Sequence, residues 1–512
     1  MSKPQTPTPR TAGRPKIVDG PKVVEGPKVA DGAKTANGSR AVTDSRTANG
    51  SATANEVRSA RGSGPQPKIT TPVPGPKSRA LFAEEQSHIA PGRQRISLLA
   101  GVAFDHGEGA TLTDVDGNVF VDFFAGVAVA SLGHGHPALA QALAHQASRL
   151  IVGTFATPER AEAFRMLAEA APAGLDRAHL YSGGAEAVEA ALRLARSKTK
   201  RHEVLSFWGG FHGKTGGVIG LIGDESKQGY GPLPGGQYVV PYADCYRCPF
   251  KLEYPECGMY CVDFARQQLK HGSAGALAAV VVEPMQGTAG NVIPPDDYLP
   301  AVKELAHEHG ALVIADEMIT GFGRTGRMWG IEHSRVAPDI MTIGKGMGSG
   351  FPVAGVLLSD ELGKSEPFGK PSASSSSYGG NPLAAVAVAE TLRAIKREGL
   401  IENSAVVGAF MLERLMRLKE KYEFIGDVRG KGLLIGLDLV RDRKTKEMLG
   451  RSITETIFKE ALGRGLLVMG YFPRMRINPP LVITHEQAEA GVEILDQVFA
   501  HVRDHLDWRN AP

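Results

Sequence analysis

The sequence predicts an α/β protein built on a mainly parallel sheet with helices on its faces. Three observations predict it. Strand-like and helix-like runs alternate from about Arg79 onward. Several of the strand-like runs, such as ALAAVVVEP (276–284) and ALVIADE (311–317), are apolar enough to be buried. Every stretch with unusual chemistry falls at the end of such a run, where sheets of this kind hold their ligands.

The chain has 512 residues, enough for two or three domains with a large core. A hydrophobic content of 42% and a charged content of 22% are those of an ordinary globular protein. No apolar run approaches a membrane span, and MSKPQTPTPR at the N-terminus lacks the apolar stretch of a secretory signal. A cytoplasmic protein is the expectation.

The net charge of +3 conceals an asymmetry. Residues 1–80 carry 14 Lys+Arg against 5 Asp+Glu, whereas the remainder carries 44 against 50. The first 80 residues contain no Phe, Trp or Tyr, and a six-residue repeat (AGRPKI, VDGPKV, VEGPKV, ADGAKT and so on) runs through 12–59. Its aliphatic positions shrink to alanine, so it cannot bury enough apolar surface to offset the entropy of ordering. A disordered basic tail over 1–79 is expected.

The organised part opens with TLTDVDGNVFVDFF (111–124), where Asp-Gly between alternating apolar runs predicts a hairpin. RAHLYSGGAEAVEAALRLAR (177–196) reads as a strand, two glycines and a helix. Free N–H groups and the positive end of the helix dipole then converge on one spot, which suits an anion. WGGFHGKTGG (208–217) sets Phe211 and His212 among glycines at another strand end. An aromatic ring there can stack on a flat ligand or be an ordinary buried Phe. Asp316 ends the strand LVIAD; it can cap a turn or hold a proton on a ring nitrogen. Lys345 in TIGKGMGSG (342–350) stands between two glycines with apolar flanks and no acid within five residues. Shielded from water, such an amine has a lowered pKa and can form a Schiff base. A phosphate pocket, a stacking ring, a carboxylate and an amine are together the parts of a pyridoxal phosphate site.

From about Phe82 to Asp507 the chain resembles the class III pyridoxal-phosphate aminotransferases. The matching stretches include LTDVDGNVFVDFFAGVAVASLGHGHP (112–137), SGGAEAVEAALRLAR (182–196), FHG (211–213) and EPMQG (283–287). They continue with ADEMITGFGRTG (315–326), IGKGMGSGFPVAG (343–355), SYGGNP (377–382) and RINPPLVIT (476–484), in family order. The resemblance implies the type I aminotransferase fold, with a large cofactor domain over about 140–392. A smaller α+β domain would be built from 80–139 and 393–512.

It also implies roles. Lys345 would bind the cofactor as a Schiff base and shuttle a proton, and Asp316 would keep the pyridine nitrogen protonated. Phe211 would stack on one ring face and Met318 would pack against the other. Amides of Gly184 and Ala185 would bind the phosphate, and His212 and Glu283 would belong to the cofactor site. Ser377 of a neighbouring subunit, where threonine is usual, would complete the phosphate site, so a homodimer is implied. Arg476 would grip a substrate carboxylate through its fork, although Arg474 is close enough to be confused with it. The implied reaction carries an amino group from an amino acid or amine to a 2-oxo acid, with pyridoxamine phosphate between the two halves. A racemase, epimerase or aminomutase would use the same site.

Two positions depart from the ornithine and 4-aminobutyrate enzymes: Thr288 stands where they have a glutamate, and Ile319 where many have a glutamine. The substrate stays open on that account. His134 and His136 are expected to be structural.

All four cysteines, Cys245, Cys248, Cys257 and Cys261, fall in CYRCPFKLEYPECGMYC. Their spacing suits a structural zinc, and four reduced thiols packed in an insertion are the alternative. A basic tail beside a zinc module would also suit a nucleic-acid-binding protein. The insertion offers only Arg247 and Lys251 against Glu253 and Glu256, which favours an enzyme.

Overall fold

The computed structural model describes residues 64–512. The hexad repeat and most of the expected tail lie outside the described residues. Residues 64–79 do not belong to a tail. The Lys68 backbone pairs with Val119 in both directions, and Asn118 Oδ1 accepts from the amides of Thr70 and Thr71 at 2.8 and 2.9 Å. A helix then begins at Pro76. The composition of this stretch is tail-like, but the β-edge at Val119 supplies the backbone partners that order it.

The centre is a seven-stranded sheet in the order β4 (Arg177–Tyr181), β10 (Ala354–Leu358), β9 (Ile340–Ile343), β8 (Leu312–Asp316), β7 (Leu277–Val282), β5 (Glu203–Phe207), β6 (Gln237–Val240). The run from β6 to β9 is parallel, and β10 is antiparallel to both neighbours. All of β7, LAAVVV, is buried, as a strand covered on both faces must be. The helix Gly184–Thr199 packs on one face, where Val188, Ala191, Leu192 and Ala195 meet Val281, Ile314 and Val356. Helices Tyr298–Glu308 and Pro382–Arg397 join the core of the other face.

Two smaller sheets flank this core. The predicted hairpin forms as β2 (Thr111–Asp114) and β3 (Val119–Asp122), with β1 (Phe104–Glu108) outside it. On the far side β13 (Leu466–Leu467) pairs in parallel with β3, so the C-terminal part of the chain returns to its N-terminal part. The third sheet has the order β11 (Ile425–Lys431), β12 (Leu434–Leu439), β14 (Arg474–Ile477). The long helix Leu400–Lys421 packs on β11 and β12, and the helix His485–His505, opened by a reciprocal cap between Thr484 and Gln487, packs on that helix. Among the described residues no helix is long and apolar enough to cross a membrane.

Candidate active site

The carboxyl ends of β4, β5, β7, β8 and β9 bring the unusual residues together. Asp316 closes β8, and His212 lies in the loop after β5. The His212 Nδ1 is 2.7 Å from Asp316 Oδ2, and both side chains are buried. Burial lowers the imidazole pKa, but the hydrogen bond and charge of Asp316 outweigh it and the net shift is upward. The ring therefore donates Nδ1–H to the carboxylate. The amide of Met318 donates to the other oxygen at 3.2 Å.

Lys345 follows β9 with φ of 42°, a left-handed conformation that costs a residue with a Cβ about 1 kcal/mol or more. The side chain is half-buried. Burial lowers its amine pKa, the charges of Asp316 and Glu283 partly offset this, and Arg476 adds to the lowering. The flanking glycines make room for protein neighbours. A Cβ on Gly344 would lie 2.6 Å from Met318 Sδ, and one on Gly346 would lie 2.6 Å from Ser131 Oγ.

Glu283 braces two loops. Its Oε1 accepts from the Phe211 amide and its Oε2 from the Gly287 amide, both at 2.9 Å. Burial raises its pKa, while His212 and the two amides oppose the shift. Phe211 is half-buried above this brace. The loop beyond it presses on the start of the Gly184–Thr199 helix, where a Cβ on Gly213 would come within 2.4 Å of Ala185 Cβ. At that helix start Gly183 has open space where a side chain would be, and Met318 Sδ is 3.3 Å from a Cβ placed on Gly184. The result is a cradle lined by backbone N–H groups and floored by Met318. A carboxylate, a half-buried amine, a half-buried ring and this cradle fit pyridoxal phosphate.

The two arginines of β14 differ in their partners. Arg474 is committed: Nη2 is 2.7 Å from Asp244 Oδ2 and Nε is 3.2 Å from Asp438 Oδ1. Arg476 is buried and meets only the Gly287 carbonyl, at 3.4 Å. Among the described residues it has no carboxylate partner. Thr288, at the tip of the same loop, is exposed, and Ile319 is packed with Ala128, Met285 and Leu434. Ser377 is exposed in a loop tied to β4 through Ser374, whose carbonyl accepts from Tyr181 Oη at 3.2 Å. Within one chain nothing joins Ser377 to Gly184.

The two histidines have local partners in the fold. His134 Nε2 is 2.8 Å from Asp122 Oδ2, and His136 caps the helix Pro137–Ala147 by accepting the Leu139 amide. The expected zinc site is not supported. Among the described residues no group of three or more His, Cys, Asp or Glu could hold a metal. The four cysteines are free and line a pocket of about 380 Å³ with Phe250, Tyr254, Met259 and Tyr260. Burial pushes Cys245 up to about 11 and Cys261 up to about 12, and the neighbouring thiols add to the rise. The spacing suggested a metal, but apolar walls surround the sulphurs.

Sequence reasoning missed Glu317. It is buried and accepts from Thr320 Oγ1 at 2.5 Å, Gly330 N at 2.9 Å and Ile331 N at 2.7 Å. Two adjacent acids ending an apolar strand, Asp316 and Glu317, were the signal available.

The family model "Aminotransferase class-III" matches residues 94–499. The leucine/methionine racemase of Thermococcus litoralis is 36% identical over 428 residues, covering 82% of this chain and 95% of that protein. The acetylornithine aminotransferase of Methanothermobacter thermautotrophicus is 34% identical over 403 residues, covering 78% and 94%. Among solved structures, a pyridoxal-phosphate-bound amine transaminase from an uncultivated Pseudomonas species superposes with a TM-score of 0.75 at 31% identity. It covers 81% of this chain and 98% of that one.

Proposed function

The chain belongs to the class III aminotransferases, pyridoxal-phosphate enzymes of the type I fold, and from that premise we propose the residues that perform the transfer. The substrate is a donor with a carboxylate near its amine, and a 2-oxo acid accepts the amino group. The observation that carries this reading is Arg476: a buried guanidinium with no carboxylate in ion-pair distance among the described residues, close enough to Lys345 to lower its pKa. A buried charge without a counterion is costly unless a ligand supplies one. With Thr288 in place of an acid, the fork stays open to the substrate's own carboxylate.

The bound cofactor supplies an electron sink for the pair released when the substrate Cα–H bond breaks. Asp316 would keep a proton on the cofactor's ring nitrogen, and His212 holds that carboxyl group in place. Lys345, whose amine pKa is lowered by burial, would hold the cofactor and would move the substrate's Cα proton when its amine is free. Phe211 and Met318 would hold the cofactor's ring and the amides of Gly184 and Ala185 its phosphate, while Glu283 fixes the loop of Phe211. Ser377 comes from a second copy of the chain. Its exposed loop and an exposed apolar stretch, with Phe155 at 82% and Tyr378 at 66%, support an assembly in which these surfaces are covered.

A second reading, racemisation or epimerisation of an amino acid, is favoured by the 36% identity to a leucine/methionine racemase. It uses the same residues and differs in where Lys345 returns the proton. Amines and amino acids added without acceptor separate the two. Loss of the visible cofactor band with release of a carbonyl product supports transfer. A persistent band, with Cα–H exchange into solvent and inversion at Cα, supports racemisation.

A further inference from the structure

Arg429 on β11 spans from the three-stranded sheet to the loop 287–291 that follows β7. Its Nη2 donates to the Gly290 carbonyl at 2.7 Å and its Nε to the Asn291 carbonyl at 3.1 Å. Its Nη1 is held between Asp438 Oδ2 at 2.7 Å and Asp427 Oδ2 at 2.8 Å. The Asp438 side chain is fully buried. Its other oxygen faces Arg247 at 3.1 Å and Arg474 at 3.2 Å. Every donor direction Arg429 uses is therefore opposed by a fixed acceptor.

That loop is also the one on which Arg476 rests. Gly287, at its start, offers the carbonyl 3.4 Å from Arg476 Nη1. Gly290, near its end, lies over β12 so closely that a Cβ on Gly436 would be 2.3 Å from its oxygen. Gly436 is the residue paired with Arg476 across the β12–β14 ladder. One guanidinium thus sets how the loop sits on the strand pair that carries the other.

We infer that Arg429 is a positioning residue for substrate-carboxylate binding. By holding the Gly290 and Asn291 carbonyls, it fixes where the Arg476 fork meets the carboxylate. It does not touch substrate, and the inference rests on the reading of Arg476 as the carboxylate partner. Lysine cannot replace it, because a single ammonium cannot reach two carbonyls and two carboxylates in one plane. A bidentate contact is sensitive to placement, and a shift of about 1 Å can cost as much as 100-fold.

The test compares Arg429→Met and Arg429→Lys with the native holoenzyme, using aliphatic α-amino acids and the amines left when their carboxylate is removed. Leucine and 3-methylbutylamine are one such pair. Half-saturation is read from the cofactor spectrum, or by competition where the amine does not react. The expected result for Arg429→Met is a rise on the order of 10-fold or more in half-saturating amino acid, with the amine shifted less than about 2-fold. The limiting rate should fall much less than the affinity. Arg429→Lys should show the same split more weakly, and it serves if the methionine variant does not fold. Equal shifts for both ligands, or no shift for either, would overturn the inference. Arg476→Met is the control: if it fails to separate the pair, the carboxylate role of Arg476 falls first.

Discussion

The His212 Nδ1 stands 2.7 Å from Asp316 Oδ2, with both groups sealed from solvent, so the acid that ends β8 is oriented by the loop that follows β5. Asp316→Asn should lower kcat by roughly 10²–10³, the scale seen when one preorganised electrostatic partner is removed. His212→Gln should cost less, because it leaves the carboxylate and loses only its orientation. Steady-state kinetics with the cofactor saturating checks both.

Lys345→Ala should abolish turnover while the fold persists. Borohydride treatment of the native holoenzyme should leave the cofactor's mass on the peptide containing Lys345. Intact-mass and peptide analysis of both proteins would sink the assignment if the variant still carried the adduct.

Arg474 and Arg476 are two residues apart on one strand and should behave differently. Arg476→Met should raise the KM of a carboxylate-bearing donor by about 10- to 100-fold, the loss of a charged hydrogen-bonded contact. Arg474→Met breaks contacts to Asp244 and Asp438 and should appear mainly as lowered thermal stability.

Burial raises the carboxyl of Glu317 from 4.5 to about 7. A raised folded-state pKa means the native state holds the proton more tightly than the unfolded chain. That contribution is fully present below 4.5 and is lost as pH rises through about 7. Relative to Glu317→Gln, the native protein should lose up to about 3 kcal/mol of stability between pH 5 and 8. Urea midpoints of both proteins across that range measure the difference.

Much of the candidate site was legible in the sequence. Lys345, Asp316, Phe211 and the Gly183-Gly184 turn each sit where a strand ends, and an apolar strand followed by glycines is a local pattern. The brace made by Glu283 was not legible, because it joins the amides of Phe211 and Gly287 across two loops. Nor was the ordering of residues 64–79, which depends on the edge of β3. The cysteine spacing promised a metal, but where the sulphurs point depends on aromatic residues around them.

By itself the sequence determined the alternation of elements, the order of the motifs and the residues able to do chemistry. These follow from periodicity, glycine placement and side-chain type, which act over a few residues. Only the tertiary structure decided which of two neighbouring arginines is free. Arg474 is neutralised by Asp244 and Asp438, 230 positions away for the first of them, whereas Arg476 faces a single carbonyl. Charge compensation acts through space, so a buried cation's role is set by what the fold brings within a few ångströms of it.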